Sequence, residues 1–294
     1  MKRAMLKSLA AALTVAVTAV AASAEDRFVV ERHGDAGAQT VLFVPGLASS
    51  GQTWDGAVGE LGETADIHVF TLAGFAGVPA VETGSDGFIA GAAGAISDYI
   101  AQGGYSDVVL VGHSLGGQVA LQVAARSSDA VSAVMVVDSV PFYARLFNPA
   151  ATPEQAAASG EMFAAQMSSL PREQFLAMMG QGLPVQSLDT AFHATLTEWF
   201  AASDQAVIAA AFAEVSGRDF SSVLEEIDVP VLILAPWAPG APVDAETLQT
   251  MYAAQYAPLE NGSVEIVEGA RHFLMIDQPA AFSARLARFL ADNR

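Results

Sequence analysis

Short runs of branched apolar residues alternate along the chain with segments of helical periodicity. Parallel strands that are buried on both faces read as continuous apolar runs, so this alternation predicts a mostly parallel sheet with helices on both faces. The strands are predicted at 41–44, 67–72, 108–111, 131–137, 231–234 and 264–267, with an edge strand near 28–31. The helices of the core are predicted near 54–61, 88–102, 115–125, 246–256 and 280–291.

The pattern changes between residues 141 and 217, where no strand is predicted and Ala, Met, Phe and Gln become frequent. Polar or proline-containing helix starts recur there, which favours three to four short helices. We therefore expect an α/β core formed by 25–140 and 218–294, with a helical cap inserted over the carboxyl ends of the strands. The helix starts are predicted at Thr152, Leu170, Ser187 and Ser203.

The first 24 residues have the pattern of a secretory signal peptide. Three basic residues precede an apolar run at 9–21, and small residues at 22–24 precede the acidic Glu25. The apolar run is shorter than the ~20 residues that span a bilayer, so no stable membrane anchor is expected. The sequence predicts a protein exported to the periplasm or secreted, beginning near Glu25.

Charge and composition remove several classes of function. The chain has a net charge of −19, and removal of the leader makes it three units more negative, which disfavours nucleic acid as a partner. It has no cysteine, and no lysine after the leader, which excludes thiol nucleophiles, Ser-Lys dyads and Schiff bases. We expect no metal and no cofactor, because the five histidines lack metal-ligand spacing. They are His33, His68, His113, His193 and His272.

The most informative motif is Gly-His-Ser-Leu-Gly at 112–116, between an apolar strand and a helical segment. In that context Gly-x-Ser-x-Gly is typical of a nucleophile elbow, a strained strand-to-helix turn that exposes a serine hydroxyl. A side chain at Gly112 or Gly116 is expected to collide with the neighbouring helix or strand. Ser114 is therefore the predicted nucleophile.

A serine hydroxyl needs a base and a site for the developing oxyanion. His272 is the predicted base, because it follows the last strand and so lies at the same sheet edge as Ser114. One oxyanion donor is predicted to be the backbone N–H of Leu115. The second is predicted to be that of Leu47, in the loop after the 41–44 strand.

These motifs occur in the order found in serine hydrolases of the α/β-hydrolase family with a helical cap, which the chain resembles. The resemblance implies a covalent acyl-enzyme: Ser114 attacks a carbonyl carbon, His272 serves first as base and then as acid, and water releases the acyl group. The matching segments are 41–47 with Trp54, 72–77, 112–117, 271–273 and 277–279.

The chain departs from the family pattern at two places. Pro45 replaces a histidine that many relatives have before Gly46, a change that keeps the backbone donor. The segment 235–240 contains no carboxylate where the family usually has the triad aspartate. Asp138, after the 131–137 strand, occupies the position of the acid in some relatives, and is predicted to orient His272.

Three alternatives to this role of Asp138 remain at this stage. Asp138 can instead fix the start of the cap. Asp244 is a rival acid, although its surroundings are typical of a helix N-cap. A Ser-His dyad assisted by water would need no carboxylate at all.

The sequence favours hydrolysis of a carboxylic ester with an apolar group held under the cap. Thioesters, lactones, amides, activated carbon-carbon bonds and acyl transfer to an alcohol use the same serine and histidine. A ligand-binding protein that has lost its activity is the alternative from another class. The expected partner is a small molecule, and no motif indicates an oligomeric state.

Overall fold

The computed structural model describes residues 27–294, and the predicted signal peptide lies outside them. Its centre is a seven-stranded sheet with the order β1-β3-β2-β4-β5-β6-β7. β1 runs antiparallel to β3, and the other neighbours are parallel. The strands are β1 (Phe28–Gly34), β2 (Gln39–Val44), β3 (Ala65–Leu72), β4 (Val108–His113), β5 (Val131–Val137), β6 (Val231–Trp237) and β7 (Gly262–Glu268).

Eleven α-helices accompany the sheet in the described part of the chain. α1 packs beside α11, and α2 packs beside α3. The helices are α1 (Asp55–Leu61), α2 (Phe88–Gly103), α3 (Leu115–Arg126), α4 (Pro153–Ser169), α5 (Arg172–Gln181), α6 (Leu183–Gln186), α7 (Phe192–Ala202), α8 (Gln205–Gly217), α9 (Ala245–Gln255), α10 (Leu274–Asp277) and α11 (Pro279–Asp292). Short 3-10 turns occur at Gly51–Trp54, Gly62–Thr64, Tyr143–Leu146 and Ser221–Glu226.

The mostly parallel sheet predicted from the apolar runs is confirmed. Every residue of the central strand β4 is buried, as expected for a strand covered on both faces. Phe43 on β2 packs on Trp54 with ring centroids 5.1 Å apart, and Trp54 packs in turn on Phe282 of α11. This aromatic contact anchors the last helix to the start of the core.

The inserted helical segment is also confirmed, and it comprises α4 to α8 between β5 and β6. It contacts the loop that follows β3: the N–H of Asp204 donates to the carbonyl of Gly74, and the N–H of Gly77 donates to that of Ala202. Because this loop leaves the carboxyl end of β3, the insertion lies over the carboxyl edge of the sheet. It has five helices where the sequence predicts three to four.

The helix start predicted at Ser187 is wrong. Ser187 follows the four-residue α6, and its hydroxyl donates to Asp277 at 2.6 Å. α7 begins at Phe192, after Asp189 has accepted a hydrogen bond from the N–H of Ala191. The oxygen of Ser187 does accept from the N–H of Asp189 at 3.0 Å, but the N–H groups of Leu188 and Asp189 are also bound by the distant carboxylate of Asp277, so the chain forms a turn here and not a helix.

Candidate active site

Ser114 lies on a sharp turn between β4 and α3. Its backbone has φ 54° and ψ −121°, a conformation that residues with a side chain rarely adopt, and its N–H donates to the carbonyl of Val137 at 2.9 Å. A Cβ at Gly112 would lie 2.2 Å from the carbonyl oxygen of Gly116, and one at Gly116 would lie 2.3 Å from that of Val44. Only glycine fits at either position, so the turn has the geometry of a nucleophile elbow.

The sheet register brings Asp138 close to Ser114. His113 at the end of β4 pairs with Val137 at the end of β5, so Ser114 and Asp138 each lie one residue beyond neighbouring strand ends. Asp138 also has a positive φ, of 45°, and its N–H donates to the carbonyl of Leu234 on β6 at 2.8 Å. The acidic side chain is therefore fixed between two strands at the same edge of the sheet.

His272 meets Asp138 at this edge. Its Nδ1 lies 2.5 Å from Oδ2 of Asp138, which means that Nδ1 carries the proton and donates it to the carboxylate. The side chain of His272 is 27% exposed and that of Asp138 only 14%. The carboxylate is thus covered, while the imidazole remains reachable and its Nε2 is available to accept a proton.

His113 connects the elbow to the loop that carries His272. It is completely buried, and its Nε2 lies 2.9 Å from the carbonyl oxygen of His272. A carbonyl can only accept, so this nitrogen carries the proton of a neutral ring. Burial, together with the nearby His272, lowers the pKa of His113 well below its usual 6.5 and keeps the ring neutral. His113 therefore positions the loop and does not act as a second base.

The two predicted oxyanion donors belong to segments that meet at the elbow. Gly46 comes so close to the elbow that a Cβ there would lie 3.2 Å from Cβ of Ser114, and Leu47 follows it directly. Leu115 is the first residue of α3, whose N–H has no acceptor within the helix. Among residues 27–294, neither N–H donates to another backbone carbonyl. Both donors are therefore free, and their role stays a prediction.

The alternative acids lie elsewhere or have other partners. Asp244 is the N-cap of α9 and accepts from the N–H of Thr247 at 2.8 Å. At the end of β6, the indole N–H of Trp237 donates to the carbonyl of Val243. The loop after β6 is therefore held by a tryptophan side chain and not by a carboxylate. Asp138 is the carboxylate that the fold brings to His272.

Comparisons with known proteins agree with this architecture. A model of the alpha/beta hydrolase family matches residues 41–285, which is most of the chain. The chain belongs to the alpha/beta hydrolase family. The resemblance inferred from the motifs is thus confirmed at the level of family and fold.

Three solved structures illustrate how widely this fold is shared. An esterase from Thermogutta terrifontis is 18% identical with a TM-score of 0.71, over 90% of this chain and 93% of its own. An N-acyl homoserine lactonase is 19% identical with a TM-score of 0.71, over 95% and 98%. A bromoperoxidase from Bacillus anthracis is 18% identical with a TM-score of 0.74, over 90% and 95%. At these identities the likeness is one of fold.

The described part of the chain shows neither a metal cluster nor a membrane-spanning helix. Between residues 27 and 294, no three His, Asp or Glu side chains are grouped as a metal would require. In the same range, none of the helices combines the length and apolar character of a membrane span.

Sequence reasoning missed two residues that contact this site. Tyr252 on α9 donates a short hydrogen bond from its hydroxyl to Oδ1 of Asp138. Asp277 was recognised only as part of a motif, without a partner. No local pattern identifies either contact, because the tyrosine lies 114 residues from Asp138 and the cap segment lies about 90 residues from Asp277.

Asp277 ties the cap to the histidine loop. One carboxylate oxygen accepts from the Ser187 hydroxyl and from the N–H of Leu188 at 2.9 Å, and the other accepts from the N–H of Arg271 at 2.8 Å. The N–H of Phe273 donates to the carbonyl of Gln186 at 2.8 Å. Both neighbours of His272 are thus held by the cap segment or by the carboxylate that binds it.

We expect Asp277→Ala to remove the hydrogen bonds to the cap segment at 187–188 and to the N–H of Arg271 together. The free energy of unfolding should fall by about 2–4 kcal/mol, because several hydrogen bonds to a carboxylate are lost together. Amide hydrogen exchange should become at least about tenfold faster at Leu188 and Arg271.

Asp204→Ala is the matched control for this change. It removes a carboxylate that caps α8 by accepting from the N–H groups of Ala206 and Val207. It should lower stability by about 1 kcal/mol and leave exchange at Leu188 and Arg271 unchanged. Equal exchange in the Asp277→Ala variant and the unmodified protein would contradict the proposed link.

Proposed function

We propose that this alpha/beta hydrolase is an exported serine hydrolase that cleaves carboxylic esters through an acyl-serine intermediate. The observation that carries the proposal is the contact between Asp138 and His272 beside a serine on a glycine-flanked elbow. A hydrogen bond of this geometry fixes the neutral imidazole so that Nδ1 is protonated and Nε2 is basic, which is what removal of a serine proton requires.

The proposed reaction assigns one role to each group. Nε2 of His272 takes the proton of the Ser114 hydroxyl as its oxygen attacks the carbonyl carbon, and Asp138 stabilises the imidazolium that forms. The N–H groups of Leu47 and Leu115 stabilise the oxyanion. The imidazolium then protonates the leaving alkoxide, and a water molecule activated by His272 releases the acid.

An apolar group of the substrate suits the surroundings of this site. The ring of Phe273, next to His272, packs on His113 at 4.6 Å and on Phe192 of the cap at 5.1 Å between centroids. Phe273 itself is buried, whereas Phe192 and Leu47 are half-buried. An acyl chain or an apolar alcohol would gain stabilisation by covering the exposed parts of Phe192 and Leu47.

Reaction with a fluorophosphonate tests whether Ser114 is activated. We expect stoichiometric labelling of the protein, none in Ser114→Ala and strongly reduced labelling in His272→Ala, because only an activated serine attacks phosphorus rapidly. An unlabelled wild-type protein would favour a binding protein that has lost its activity.

The same preparations should be assayed on p-nitrophenyl esters from acetate to decanoate and on a simple lactone. The lactone is included because one protein of similar fold is an N-acyl homoserine lactonase. Turnover that depends on Ser114 supports the proposal, and the optimum chain length shows which acyl length the site accepts best.

Asp138→Asn tests the acid. We expect turnover to fall by at least about 100-fold with the fold intact, because an amide stabilises the imidazolium less and permits the wrong tautomer. The control is Asp244→Asn, which changes a helix cap and should keep turnover within about twofold. Near-normal activity of Asp138→Asn would refute the assignment while leaving Ser114 and His272 in place.

Export is the remaining part of the proposal, and it rests on the leader at 1–24. When the full chain is produced in a bacterium, the intact mass of the periplasmic or secreted protein should correspond to a chain that begins at Glu25. A protein recovered only from the cytoplasm, with residues 1–24 still attached, would contradict it.

A further inference from the structure

The segment that carries Asp138 is held by side chains from outside its own strand. Gln118 of α3 donates to the carbonyl of Val140 at 3.0 Å. On the other side, Oε1 of Gln255 accepts from the N–H of Phe142 at 3.1 Å, and the hydroxyl of Tyr256 donates to the carbonyl of Ser139 at 2.9 Å. The chain after β5 is therefore fixed before it enters the cap.

Tyr252 lies beside Gln255 and Tyr256 on α9, but its hydroxyl contacts the carboxylate of Asp138 and not the backbone. Residues 252, 255 and 256 share one face of α9 and its C-cap, because they are spaced by three and four positions. Tyr252 donates to Oδ1 of Asp138, while Oδ2 receives the Nδ1 proton of His272. Each oxygen of the carboxylate thus has its own donor.

We propose that Tyr252 is a positioning residue, whose hydroxyl holds the carboxylate of Asp138 in the orientation that orients His272. This inference rests on the proposed function. α9 follows β6, the strand after which the triad aspartate is absent from this chain. The helix thus contributes a donor to a carboxylate that comes from the neighbouring strand β5.

Burial makes the tyrosine a dependable donor. Tyr252 is only 4% exposed, and its burial together with the charge of Asp138 raises its pKa well above the usual 10. The phenol therefore keeps its proton throughout the range in which hydrolases are assayed. It donates to the carboxylate and does not compete with His272 for a proton.

The groups that face this pair come from several elements. From β4, His113 is neutral for the reason given above. Burial and the charge of Asp138 also raise the pKa values of Tyr143 and Tyr256, so that both are neutral. Arg271 precedes His272 on its own loop. Asp138 is consequently the charged group in direct contact with the imidazole.

Tyr252→Phe removes this donor and leaves the ring. With one donor fewer, the carboxylate keeps more negative charge for the imidazolium, and the titration midpoint of His272 should rise by about half a pH unit. The kcat for an ester should fall about tenfold because the carboxylate is less well fixed. KM should stay within about twofold, because the hydroxyl touches no substrate.

Tyr256→Phe is the matched control. Tyr256 is 3% exposed, lies one turn away and donates to a backbone carbonyl in the same segment. It loosens one backbone contact of that segment but removes no donor from the carboxylate, so it should leave the His272 midpoint unchanged and lower kcat by no more than about twofold. If the two phenylalanine variants behave alike in both measurements, Tyr252 has a merely structural role and the proposal is overturned.

The midpoint should be measured by NMR on protein labelled with ¹⁵N-histidine, with His272→Gln to assign the signal. This measurement needs no turnover, so it tests Tyr252 even if the wild-type protein hydrolyses no ester. Absence of fluorophosphonate labelling would count against the proposed function alone, whereas an unchanged midpoint in Tyr252→Phe counts against this inference alone.

A double-mutant cycle tests whether Tyr252 affects kcat through Asp138. If Tyr252 acts through Asp138, then Tyr252→Phe should change kcat by less than about twofold in a chain that already carries Asp138→Asn. A full tenfold loss in that background would show that the tyrosine acts by another route, and would overturn the proposal.

Discussion

The site depends on the close approach of the first turn of α3 to the ends of β2 and β4. Gly112 and Gly116 lie so close to backbone atoms that neither position has space for a Cβ. Beside this contact Ser114 has a strained backbone with a positive φ of 54°, which costs on the order of 1–3 kcal/mol and must be offset by the surrounding buried sheet. The strain thus occurs where glycines pack against strand ends.

A second constraint follows from the chemistry of a covered carboxylate. Asp138 is largely removed from water, and an ionised carboxylate in such a place needs donors on both oxygens. His272 supplies one donor and Tyr252 the other. The backbone at Asp138 has positive φ as well, and its N–H is bound to β6. Position and charge of this side chain are thus fixed by three neighbouring elements.

The sequence was sufficient to predict the parts of the molecule that local patterns encode. Apolar runs gave the buried strands, and the glycines around Ser114 indicated the elbow because their spacing reflects a steric requirement. The helix start predicted at Ser187 was wrong because a long-range contact, and not the local pattern, decides the structure there. Its hydroxyl binds Asp277 about 90 residues away, and no rule based on neighbouring residues contains that partner.

The same limit applies to Tyr252. A tyrosine on a helix face is an ordinary core residue by pattern, and only the tertiary structure brings it to Asp138. The acid itself could be named as a candidate from its place after a strand, but Asp244 could be set apart only once its hydrogen bond to the turn of α9 was known. Long-range hydrogen bonds between side chains are what the sequence leaves open.

The cap and the histidine loop share their attachments. The N–H groups on both sides of His272 are held, one by Asp277, which also binds the segment after α6, and the other directly by Gln186 of the cap. A displacement of that cap segment would therefore pull on the loop at two points. By contrast, the carboxylate of Asp138 is held by Tyr252 of α9, and the segment that follows Asp138 is held by Gln118 of α3; both helices belong to the core. His272 is thus attached to the cap through its loop, whereas Asp138 is attached to the core. A movement of the cap would therefore shift the imidazole relative to a carboxylate that stays in place.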